Sequence, residues 1–154
     1  MKLPTAADLI DIAEESLQEQ RLEETHRLHM AKIKRDMEIA KFKHAHFDED
    51  MIETTVKRLK KAAEAGKSKT IAYRFPSEAC LDRGRSINNA LPKWENSLVG
   101  QPREFFNFYR QELRPKGFKL QAEILNYPGG KLGEVGFTIS WNAPNSKPPR
   151  NDRA

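Results

Sequence analysis

The sequence predicts an α+β protein: a long N-terminal helical arm, then a small helix-strand-helix-helix-strand-strand domain built on a three-stranded antiparallel sheet. Three observations predict it. No Gly or Pro occurs from Thr5 to Ala65, a stretch rich in helix formers. Phe118, Leu120, Ala122 and Ile124 alternate with polar residues, as do Val135, Phe137, Ile139 and Trp141, and the two runs are joined by Tyr127–Gly133 with three glycines and a proline. That is a β-hairpin pattern. Just before it, Phe105, Tyr109 and Leu113, flanked by Phe106, repeat at helical spacing.

The arm is expected over residues 1–47, the α+β domain over 48–141 and a Pro-, Asn- and charge-rich flexible tail over 142–154. Thr5 can cap the arm, with Asp8 at the capping-box position. Two apolar series lie along it. Ile10, Ala13 and Leu17 form one. Met30, Ile33, Met37, Ala40, His44 and Phe47 form another, and Glu19, Glu23 and His26 separate them. Series out of phase predict a stutter or bend, or two helices end to end. So narrow a stripe needs a partner helix, either the next one or a second copy of the chain. Residues 1–24 hold seven acids and two bases, and residues 25–46 hold two acids, six bases and four histidines. Two such arms lying antiparallel would match opposite charges.

Asp48 or Asp50 can cap a second helix, the latter with Glu53 as box partner. Ile52, Val56, Leu59 and Ala63 form its apolar stripe and Gly66 ends it. Residues 69–75 (KTIAYRF) read as a strand burying Ile71, Tyr73 and Phe75. Pro76 should open a helix with Cys80, Gly84, Ile87 and Leu91 on one side, stopped by Pro92. A loop then brings Trp94 back onto the core, and Pro102 opens the aromatic helix.

Hydrophobic residues are 38% and charged residues 32%, so part of the chain is expected to be solvated helix or tail rather than core. The formal charge of +5 is uneven: residues 51–154 hold 19 basic and 10 acidic side chains, whereas residues 1–50 hold 12 acids and 8 bases. A positive domain favours nucleic acid or an acidic protein surface. The candidate anion surface is Arg83, Arg85, Arg103, Arg110, Arg114 and Lys131. No 18-residue apolar run exists, so no membrane span is expected. The N-terminal residues turn acidic at once, which does not fit a signal peptide. The single Cys80 excludes an internal disulfide and fits a reducing, cytoplasmic setting.

Catalytic and metal chemistry find little support. His26 and His29 share a helix face, but no carboxylate or thiol joins them at a ligand spacing, so no metal or cofactor is expected. Cys80 has no histidine near it in sequence and reads as structural. Glu104, Glu112 and Glu123 show no acid–base spacing. Tyr127–Gly133 joins strand to strand and lacks the Gly-Lys-Ser/Thr ending of a phosphate-binding loop.

From Asp50 onward the element order resembles that of winged-helix domains, which implies a groove-reading third helix and a wing hairpin. The sequence departs from that pattern in a long loop before the third helix and in that helix's aromatic content. The expectation is therefore a non-enzymatic binding protein whose basic domain docks DNA or another anion, and whose arm oligomerises through Met30, Ile33, Met37, Ala40, His44 and Phe47. The alternative is an assembly subunit of a multi-protein particle, such as a phage or secretion component, with no nucleic-acid role.

Overall fold

The structure, a computed structural model, describes residues 1–141. The expected tail, 142–154, lies outside the described residues. Helix α1 (Ala6–His44) is one continuous element rather than two helices end to end. The capping box forms: the Thr5 N–H donates to Asp8 Oδ2 at 2.9 Å and the Asp8 N–H to Thr5 Oγ1 at 3.1 Å. The chain divides into two compact units, Met1–Glu38 and the part from Ile39 on. In the first unit no side chain is buried, and Leu9, Ile12, Leu22, Met30 and Met37 all face solvent. Its helix is sustained by backbone bonding and by local pairs such as Arg27–Glu24 and Lys32–Asp36.

In the second unit the last turns of α1 supply Ile39 and Phe42 to the core margin. Helix α2 (Glu49–Glu64) is capped by Asp48, whose Oδ1 accepts from the Met51 N–H at 3.0 Å. Asp50 lies inside the helix, so the Asp50–Glu53 box does not form. Gly66 closes α2 as expected: its N–H reaches Ala63 O and the Lys67 N–H reaches Ala62 O. Thr55, Leu59 and Ala62 are buried while Ala63 is exposed, so the buried stripe is rotated from the expected one. The Thr55 hydroxyl can be buried because it donates to Met51 O at 2.8 Å.

The sheet is antiparallel, in the order β1-β3-β2, with β1 Lys69–Pro76, β2 Lys119–Ile124 and β3 Glu134–Ser140. Alternation in β2 is as expected. The central strand β3 is buried along its whole middle, Gly136 and Thr138 included. In β1 the register shifts at Ala72: Ile71 pairs with Thr138 but Tyr73 with Phe137. This bulge puts Ile71 on the opposite sheet face from Tyr73 and Phe75, against the expected alternation. Arg58 Nη1 donates to the bulge carbonyl, Ala72 O, at 2.9 Å.

The expected second helix is largely absent. Pro76 is the last strand residue, Ser77–Ala79 form a 3-10 turn, and only Arg85–Asn88 (α3) are α-helical. Arg83 (φ 59°) and Gly84 (φ 88°) are both left-handed, which breaks any helix through them. Leu91 is exposed, while Cys80 and Ile87 are buried as expected. Helix α4 (Gly100–Phe108) continues as a π-turn over Tyr109–Leu113 and a 3-10 turn over Arg114–Lys116. Phe105, Phe106, Tyr109 and Leu113 are all buried. Phe105 is the hub: its ring lies 4.9 Å from Tyr73, 5.1 Å from Phe47 and 5.7 Å from Phe137. Trp94 folds back onto Phe106 and Phe137, as expected.

Candidate functional site

The six expected cations fall into two groups. Arg103, Arg110 and Arg114 come from α4 and its continuation. Arg103 is committed to structure: its Nη1 donates to Glu95 O at 2.6 Å and so pins the Trp94 loop. Arg110 and Arg114 are exposed and four residues apart. The Arg110 guanidinium lies over the Phe106 ring at 5.8 Å and that of Arg114 over Tyr109 at 5.3 Å. Stacking holds both in place, and Arg110 Nη2 also donates to Asn107 Oδ1 at 3.5 Å. Among the described residues, neither takes part in an ion pair. The second group is Arg83, Arg85 and Lys131, all exposed, at α3 and the hairpin turn. The Tyr127 O–H donates to Asn88 Oδ1 at 2.9 Å and ties that turn to α3.

Sequence reasoning missed a third set. Lys41 of α1, Arg58 of α2 and Arg74 of β1 line one cleft of about 680 Å³, with Phe42, Ala45, Met51, Ile71, Tyr73 and Gln101 as its other walls. Among the described residues no acidic side chain lines it. Phe42 and Tyr73 meet edge to face at 6.5 Å. The Tyr73 O–H donates to Gln101 Oε1 at 2.7 Å, and Gln101 Nε2 donates to His46 O at 3.0 Å. Burial, with the Glu104 charge added, drives the Tyr73 pKa upward, so the phenol stays a neutral donor. The Arg74–Glu134 pair is loose, at 3.9 Å between largely exposed groups, and holds Arg74 weakly. These residues stand 17 and 16 positions apart in sequence. Only the bulged edge strand and the end of α1 bring them together, so no local motif announces them.

Two features fix the cleft's frame. Gly100, at φ 63°, lies so close to the end of α1 that an added Cβ would sit 2.2 Å from Lys43 O. Glu104 on α4 accepts the Phe47 N–H at 3.1 Å and contacts His46 Nδ1 at 2.9 Å, fastening the α1–α2 junction. On the other side of that junction, Phe47, Ile52, Val56, Phe108 and Leu113 line an apolar groove between α2 and α4, rimmed by Glu49, Glu104, Glu112 and Lys116.

Of the expected oligomerisation residues, Met30, Ile33, Met37, Ala40 and His44 are exposed. Phe47 is not available for such a role. It is buried among Phe105, Phe108 and Tyr73, because the chain turns into α2 there.

Cys80 is buried and burial pushes its thiol up to about 11, which suits packing and not nucleophilic attack. Asp82 is held below its ordinary pKa. Burial opposes ionisation, but the Ser86 hydroxyl and the N–H groups of Ser86 and Gly84 outweigh it. That carboxylate caps α3. Among the described residues no three His, Cys, Asp or Glu side chains are placed to hold a metal ion, and no helix is long and apolar enough to cross a membrane. No family model, curated protein or solved structure matches the chain.

Proposed function

We propose that the chain is a binding protein whose α+β unit docks an anionic partner, nucleic acid foremost, and whose N-terminal helix self-associates. The observation that carries this is the pair Arg110 and Arg114, exposed on the π- and 3-10 continuation of α4, each laid on an aromatic ring and outside any described ion pair. Cations set in this way need little ordering to meet successive phosphates. The winged-helix element order, by analogy alone, gives the same helix the role of groove reader. The test is binding of duplex DNA at two salt concentrations. Affinity should fall steeply with salt, and Arg110→Glu with Arg114→Glu should lower the logarithmic salt slope by about 2. Full retention of binding in the double variant would refute the assignment.

A second reading has its own observation. The unit Met1–Glu38 exposes every apolar side chain it has. An assembly subunit would bury them against neighbouring chains. It would elute as a large oligomer, judged by light scattering, and would not be retained on heparin or DNA.

A further inference from the structure

We infer that the cleft lined by Lys41, Arg58 and Arg74 is a separate site for a phosphorylated ring compound of mononucleotide size. It shares no lining residue with the Arg110–Arg114 face. Three elements each contribute one cation; among the described residues no carboxylate lines the cleft, and Glu134 outside it holds Arg74 only loosely, at 3.9 Å. All three cations are exposed, and cations sharing one cleft favour an anionic occupant. A monocarboxylate would match one guanidinium fork; a phosphate, with more charge and three outward oxygens, offers acceptors to more than one cation.

The remainder of the wall explains the ring. Phe42, Met51 and Ile71 are half-buried apolar wall residues, and the part-exposed Phe42 ring is the one aromatic surface left to a flat heterocycle, because Tyr73 is buried and stacked on Phe105. The volume, about 680 Å³, lies in the range of small-ligand sites. Gln101 Oε1 and Nε2 are spent on Tyr73 and His46, so the wall is set before a ligand arrives. Arg58 is likewise held by one donor at Ala72 O, which leaves the rest of its fork for an oxygen in the cleft.

The experiment is calorimetry on the full chain with adenosine monophosphate, adenosine and inorganic phosphate as separate probes. Adenosine monophosphate should bind saturably and more tightly than either part. Lys41→Glu with Arg74→Glu should weaken it by about tenfold or more, the scale of 1.4 kcal/mol. Both side chains are exposed, and circular dichroism checks that the double variant folds. Arg110→Glu with Arg114→Glu should leave this binding unchanged. Failure to saturate, adenosine binding as tightly as its phosphate ester, phosphate alone binding as tightly, or indifference to Lys41→Glu with Arg74→Glu would each overturn the inference. Duplex binding is read separately, so loss of one reading leaves the other testable.

Discussion

Replacing Gly100 by alanine tests how the end of α1 is locked to α4. Two costs add. The residue sits at φ 63°, where an L side chain costs roughly 1–2 kcal/mol. The new Cβ would lie 2.2 Å from Lys43 O and 2.5 Å from Phe42 O, far inside ordinary contact, and both are backbone atoms that cannot swing aside. Relief requires the last turn of α1 to part from α4, at an overpacking cost of about 1–3 kcal/mol. The sum, about 2–5 kcal/mol, is a large share of the roughly 5–15 kcal/mol that holds such a domain. Gly117→Ala is the control. Its φ of 97° is also left-handed, but nothing lies within 4 Å of an added Cβ, so only the conformational cost applies. Urea unfolding followed by tryptophan emission measures both. Gly100→Ala should lose clearly more stability than Gly117→Ala; equal losses would refute the steric lock.

Phe105→Ala removes the hub of the aromatic core and should cost about 3–5 kcal/mol in the same assay, with a loss under 1 kcal/mol showing the cluster to be replaceable. Asp82→Asn should alter the acid limb of stability. The folded-state pKa of Asp82 is depressed, so its contribution is present above the unfolded value of about 4 and disappears as pH falls through the lower folded value. Wild type and variant should differ at neutral pH and converge in acid, in unfolding midpoints measured from pH 7 to pH 2. Ile33→Asp with Met37→Asp should abolish any concentration-dependent mass in light scattering while leaving urea unfolding of the α+β unit unchanged.

Signals confined to a few neighbouring residues were legible in the sequence. Thr5 with Asp8, Asp48 before α2 and Gly66 after it mark ends through their own side chains or lack of one. The β2 alternation survives because that strand keeps one face on the core, whereas β3, central in the sheet, is buried on both faces. The segment after Pro76 misled because Cys80, Gly84 and Ile87 mimic helical spacing. There the Asp82 carboxylate takes the N–H groups of Gly84 and Ser86, and Arg83 and Gly84 turn left-handed, so the helix starts late and ends after one turn. Ile71 was misplaced because one extra residue, Ala72, reverses the faces before it. Arg110 and Arg114 could be found from sequence, since one helix carries both. Lys41, Arg58 and Arg74 could not, since long-range pairing alone makes them neighbours.

The margin of the sheet at β1 has a further consequence. A bare outer strand invites a foreign strand to dock along it and seed fibrils. Here the kink at Ala72 spoils the even spacing of backbone groups, and the Arg58 guanidinium already occupies the Ala72 carbonyl. The same arginine that faces the cleft thereby makes β1 a poorer template than a regular strand, while β2 forms the sheet's other margin.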